Sequence, residues 1–139
     1  MENKFAIAIK CIAYLDGKVL LLTKAEHERK GDASDSSWDL PGGRVNYKET
    51  PEDAAKREMQ EETSLNVEQL SLKLATTLIR PDGLHLLVLT YQCNCDSQNV
   101  ILSNEHISHN WFSIKEIIDN DTIPDWIKDT VRTINEDEI

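Results

Sequence analysis

Gly43-Arg44-Val45-Asn46-Tyr47-Lys48-Glu49-Thr50-Pro51-Glu52-Asp53-Ala54-Ala55-Lys56-Arg57-Glu58-Met59-Gln60-Glu61-Glu62-Thr63-Ser64-Leu65 is the stretch on which the fold turns. Thr50 can cap free amides, Pro51 suits the first helical position, and Glu52 and Asp53 favour the positive end of a helix dipole. The spacing predicts a helix over residues 51–63. Offsets of three and four residues put Glu58, Glu61 and Glu62 on one face of that helix, where their charges repel. Lys56 and Arg57 point elsewhere or reach only part of the cluster. A hard divalent cation among the oxygens would relieve the strain; the other reading is a solvated acidic face. Gly42-Gly43 lets the backbone turn closely just before it, and Glu49 can approach the first turn of the helix.

Working outward, residues 5–15 are rich in β-branched and aromatic side chains and read as a strand. Asp16-Gly17 is a turn signal, and residues 18–24 return as the second arm of a hairpin. Residues 25–37 are polar, without apolar period, and read as a long surface loop. Residues 69–80 and 84–95 read as two more strands around the turn Pro81-Asp82-Gly83. Ser113-Ile114-Lys115-Glu116 has capping-box spacing and starts a short helix. Ile127, Val131 and Ile134 recur at helical spacing after Pro124, so an amphipathic helix closes the chain. Strands and helices mix without regular alternation, which indicates an α+β layered domain.

The chain has 139 residues, 40% of them hydrophobic, enough for one domain over residues 1–139 with a real core. Its longest apolar runs, Val19 to Leu22 and Leu86 to Leu89, are too short to span a membrane. The N-terminus does not read as a signal peptide, so a cytoplasmic address is expected. Three cysteines argue against a disulfide framework. Cys93 and Cys95 should point the same way from one strand, as reduced thiols rather than a soft-metal site. The formal net charge of −10 disfavours a duplex nucleic-acid binder, which needs a basic face. It does not exclude a small polyphosphate, provided that divalent cations bridge the two anions.

The spacing of Gly43, Glu49 and Arg57-Glu58-Met59-Gln60-Glu61-Glu62, followed by an aliphatic Leu65, resembles the box of the Nudix (MutT-like) hydrolase family. The lead-in Trp38-Asp39-Leu40-Pro41-Gly42-Gly43 and the later Trp111-Phe112 are similar to the family as well. One position departs: Ser64 stands where the family has glycine. A left-handed helix end would there cost serine roughly 1 kcal/mol.

The resemblance implies a Nudix-type α/β/α sandwich with a central mixed sheet. The implied enzyme is a Mg²⁺-dependent (or Mn²⁺-dependent) hydrolase of a nucleoside diphosphate linked to another moiety, such as an NTP, a dNTP or ADP-ribose. The alternatives are a hydrolase of a non-nucleoside diphosphate and a non-catalytic nucleotide-binding regulator. The metal-binding carboxylates would be Glu58, Glu61 and Glu62, the last two most directly, with the Gly43 carbonyl beside them. Arg57 and Glu49 would pair, tying loop to helix. The general base is open among Glu61, Glu62 and Glu105, and Glu105 with His106 can equally be an ordinary polar loop. Lys24, Arg29 and Lys30 are phosphate-binding candidates or solvated charges. Trp38 either stacks on a base or packs its loop against the sheet. A small-molecule nucleotide or diphosphate is the expected partner. A homodimer is compatible with the resemblance, and no apolar stripe demands one.

Overall fold

Alternation along the strands decides how the layers form. The computed structural model describes residues 4–26 and 36–136. In β1 (Phe5–Leu15), Ile9, Cys11 and Ala13 point to one side while Ile12 and Tyr14 point to the other. β2 (Lys18–Lys24) divides likewise, Leu20 and Leu22 against Val19 and Leu21. Two separate cores result. Asp16 (φ 51) and Gly17 (φ 78) both take positive φ in the hairpin between these strands, the geometry of the tight turn that matches strand twist.

Next come β3 (Trp38–Asp39), β4 (Gly42–Arg44), α1 (Pro51–Thr63), β5 (Val67–Ile79), β6 (His85–Cys95), β7 (His106–Ser113), α2 (Ile114–Asp119) and α3 (Asp125–Val131). The sheet has seven strands in the order β3-β2-β1-β6-β5, with β4 pairing β1 and β7 pairing β2. β1 and β6 run parallel from Phe5↔His85 to Tyr14↔Asn94, and the other pairings are antiparallel. The sheet is therefore mixed.

α1 covers one face, burying Ala54, Ala55 and Met59 against Ile9, Cys11, Tyr91 and Cys93. α2 and α3 cover the other, where Ile117, Ile127 and Val131 meet Ile12, Leu21 and Leu40. This is the expected α/β/α sandwich. Cys11, Cys93 and Cys95 are free and buried in the α1-side core, so Cys93 and Cys95 do share a face. Among the described residues, no helix is long and apolar enough to cross a membrane.

Several boundaries differ from the sequence reading. Residues 38–44, for which the sequence reading gave no strand, contain two short ones, because pairing with β1 and β2 supplies order that local propensity lacks. Residues 106–113 form the unpredicted β7, whose polar side chains hide its pairing with β2. The fifth strand starts at Val67 rather than residue 69 and absorbs irregularities after Glu68 and Leu72. The last helix ends at Val131, and Ile134 packs on the core from beyond it. The long loop lies mostly outside the described residues.

Candidate metal and catalytic site

The helix that carries the acids is fixed at both ends. Thr50 accepts a hydrogen bond from the Asp53 amide at 3.1 Å, the expected cap. At the other end Ser64 sits left-handed (φ 63, ψ 17), with its amide donating to the Gln60 carbonyl. Serine thus adopts what glycine usually supplies. Its hydroxyl donates to the Ile101 carbonyl at 3.3 Å, which helps hold the cap and the segment before β7 together.

That segment is clamped to the helix end. The amides of Ile101 and Ser103 donate to the carbonyls of Thr63 (3.0 Å) and Glu62 (3.2 Å), and the Ala25 amide donates to the Glu105 carbonyl (2.8 Å). The clamp brings residues 105 and 106 beside Glu62. Among the described residues, the ligand-capable atoms of Glu62, Glu105 and His106 lie within 4.8 Å of one another.

The loop ahead of the helix is placed by strand pairing. Gly42 and Gly43 oppose Lys10 and Ile9, and the Cys11 amide donates to the Pro41 carbonyl at 2.8 Å. A Cβ on Gly42 would lie 2.1 Å from the Ile9 carbonyl oxygen, and one on Gly43 would lie 2.6 Å from the Glu58 carboxyl carbon. Only glycine lets the loop lie this close to both strand and acid. The Gly42 amide then donates to Glu62 Oε2 at 3.0 Å.

The three box acids occupy different environments. Glu62 is 4% exposed, and burial pushes its carboxyl up to about 8 although Gly42 and Lys10 favour the charge. Burial also raises Glu58, against the pull of Arg57 and with the push of Glu61 and Glu105. Glu61 is the exposed member, its side chain 59% open to solvent.

Arg57 ties the site together. Its Nε and Nη2 donate to Glu49 Oε2 and Oε1 at 2.8 and 3.0 Å, a two-pronged pair. Nη2 also donates to the Arg44 carbonyl at 2.9 Å. Nη1 reaches Glu58 at 2.8 Å and Glu61 at 3.3 Å. These hydrogen bonds hold Glu49 down at about 2 and raise Arg57 further above its ordinary value. The guanidinium reaches two of the three clustered acids and leaves Glu62 to other partners.

Those partners were not singled out from the sequence. Lys10 Nζ donates to Asp39 Oδ1 at 2.8 Å and to the Leu40 carbonyl at 3.1 Å. Burial opposes the Lys10 charge, yet Asp39 and Glu62 keep its pKa raised. Asp39 is likewise desolvated, and Lys10 together with His106 holds it well below the usual carboxylate range. His106 Nε2 lies 3.3 Å from Asp39 Oδ2. The other ring nitrogen of His106, Nδ1, is buried with no hydrogen-bond partner. The signal for Lys10 and Asp39 was a lone charge in an otherwise apolar strand, which is rarely buried without a partner.

Lys10, Lys24 and Asp39 lie at a cleft of about 540 Å³ also lined by Leu74, Leu78, Val88 and Trp126. Of the predicted substrate residues, Lys24 is therefore at this cleft, and Arg29, like Lys30, lies outside the described residues. Trp38 packs edge-on to Phe112 at 5.8 Å and its indole N–H donates to Thr122 Oγ1 at 3.0 Å. That is the loop-packing geometry, and the aromatic ring in the cleft is Trp126.

Known proteins resemble this chain. A "MutT-like protein" of Streptomyces ambofaciens is 28% identical over 102 residues, 73% of this chain and 59% of that protein. An "Uncharacterized Nudix hydrolase YvcI" of Bacillus subtilis (strain 168) is 29% identical over 111 residues, 77% of this chain and 65% of that protein. The matched region is thus less than two thirds of either relative's length. The crystal structure of a MutT protein from Methanosarcina mazei Go1 superposes with a TM-score of 0.75 at 25% identity, covering 96% of this chain and 95% of that one. The family profile described as the NUDIX domain matches residues 4–134, from the start of β1 to beyond α3. A match of that extent takes in the loop, the acidic helix and both flanking layers, and the chain belongs to the Nudix family.

Proposed function

We propose that the chain is a Mg²⁺-dependent diphosphohydrolase acting on a nucleoside diphosphate linked to another moiety, such as an NTP, a dNTP or ADP-ribose. One observation carries the reading: Glu62, an acid of the box, is only 4% exposed, and its carboxyl lies with Glu105 and His106 inside 4.8 Å. The donor set fits a hard divalent cation, being carboxylates whose charges are desolvated and mutually repelling. Glu58, Glu61, Glu62 and the Gly43 carbonyl would hold Mg²⁺, with Mn²⁺ as a substitute. When bound, the cation supplies charge neutralisation at the phosphate oxygens and a more acidic water.

The protein's own groups supply positioning. Arg57 and Glu49 hold the glycine loop against the helix, and the same guanidinium bonds Glu58 and Glu61 and would orient them. In the hydrolysis, a water oxygen bonds to phosphorus as the bridging P–O bond breaks, and the leaving phosphate departs with its charge. Glu105 is the candidate acceptor of the water's proton, with Glu61 and Glu62 as the box alternatives; its exposure lets it meet solvent. Lys24 and Lys10 line the cleft and would meet phosphate charge, while Trp126, Leu74 and Val88 line it with apolar surface that a base could cover. That combination supports a nucleotide over an aliphatic diphosphate. Arg29 is proposed as a phosphate contact from sequence alone. The buried free thiols suit a reducing, cytoplasmic location.

The test is phosphate release across a panel of nucleoside and non-nucleoside diphosphates, with and without Mg²⁺. Turnover of a nucleoside substrate that needs Mg²⁺ is expected, and Glu62→Gln should abolish it while the far-UV CD spectrum stays unchanged. Wild-type rates in Glu62→Gln would overturn the metal assignment. Turnover of non-nucleoside diphosphates alone would replace the substrate class.

A further inference from the structure

Of the groups around Glu62 that lie outside the box, His106 has a buried ring nitrogen, Nδ1, with no hydrogen-bond partner. Its side chain is 4% exposed. A buried polar atom is seldom abandoned in this way. The far side of the ring explains its chemistry. Asp39 is a carboxylate whose Oδ1 accepts from Lys10 and from the Leu40 amide at 2.8 and 2.9 Å, leaving Oδ2 to face His106 Nε2 at 3.3 Å. An anionic oxygen there calls for an N–H on Nε2. In the tautomer with its N–H on Nε2, the ring offers Nδ1 as a ligand atom. A ring nitrogen of His106 lies with carboxyl oxygens of Glu62 and Glu105 inside 4.8 Å, a trio of groups able to converge on one ion.

We infer that His106 is a nitrogen ligand to the divalent cation, oriented by Asp39, so that this site binds imidazole-preferring ions such as Mn²⁺ and Co²⁺ more strongly than an all-oxygen site would. The inference rests on the metal-dependent reading above and adds a ligand to it. Separations within 4.8 Å need little closing to accept metal–ligand bonds of roughly 2.0–2.3 Å. The carboxylate behind the ring is the usual means by which a ligating histidine is held in one tautomer. Lys10 keeps that carboxylate charged. Imidazole favours the later divalent ions over Mg²⁺, which prefers oxygen and water.

Pulsed EPR of Mn²⁺ bound to the full-length protein tests this without reference to turnover. The expected spectrum shows nitrogen modulation that changes when the protein is labelled with ¹⁵N-histidine. Control variants His85→Gln and His109→Gln should retain it. His106→Gln should lose it and bind Mn²⁺ on the order of tenfold more weakly, with a smaller change for Mg²⁺; Asp39→Asn should weaken Mn²⁺ by about tenfold. The labelled wild-type protein decides the matter even if a variant does not fold. Bound Mn²⁺ with no nitrogen coupling, in a protein that still hydrolyses its substrate, would overturn the role of His106 and leave the hydrolase reading intact. A folded wild-type protein with neither Mn²⁺ binding nor turnover would overturn both.

Discussion

Two adjacent glycines show how differently one residue type can act. Gly42 faces backbone: its missing Cβ leaves room for the Ile9 carbonyl, which would otherwise lie at 2.1 Å. Backbone in a paired strand cannot retreat, so Gly42→Ala should destabilise the fold by about 3 kcal/mol, read as a lower denaturant midpoint. Gly43 faces the end of a flexible side chain, the Glu58 carboxylate. That group can swing away, so Gly43→Ala should leave the midpoint nearly unchanged while kcat/KM falls on the order of tenfold or more, measured by steady-state phosphate release. The reverse pattern would mean that Glu58 has no part in catalysis. The sequence announced both glycines by their place before the helix, but not their division of labour, which depends on what β1 and α1 present to them.

At the scale of the element, α1 was fully legible: cap, proline, acids and length all matched, because each is a local signal. Strands β3, β4 and β7 were not, since their order comes from partners distant in sequence. The same division runs through the site. Glu58, Glu61, Glu62, Arg57 and Glu49 lie within one contiguous segment and stand out as candidates from the sequence itself. Lys10, Asp39 and His106 converge only when β1, β3 and β7 are assembled. The helix end offers a test of local energetics. Replacing Ser64, held left-handed, by glycine should stabilise the protein by about 0.5–1 kcal/mol, seen as a higher urea midpoint at constant slope. The loss of the Ser64 hydroxyl bond to Ile101 reduces the gain. The loop-to-helix tie gives a pH signature. Hydrogen bonding to Arg57 depresses Glu49 from the ordinary 4.5 to about 2. Its contribution is therefore present above pH 4.5 and is lost as the pH falls towards 2. Glu49→Gln should make acid unfolding shallower over that window by CD, with the depressed Asp39 sustaining the remainder.

Across the whole molecule, a net charge of −10 and the burial of Glu62 oppose compaction, and a bound cation would relieve both. Raising Mg²⁺ or Mn²⁺ should therefore raise the melting temperature in proportion to the logarithm of free metal above the dissociation constant, and EDTA should return it to the metal-free value. Glu62→Gln should melt no lower than the wild type without metal and respond far less to its addition, by differential scanning fluorimetry. A wild-type melting curve indifferent to either ion would remove the cation from the account. The two cores on opposite faces of the sheet make this a single cooperative matter, since β1 and β2 contribute to both. The sulfur atoms on the α1 side carry a practical corollary. Cys11 and Cys93 are 0% exposed and Cys95 is 7% exposed, so an alkylating reagent must wait for that layer to part from the sheet. Mass added to these thiols over time therefore counts openings of the helix that bears the acids, one molecule at a time, without a chromophore or a substrate.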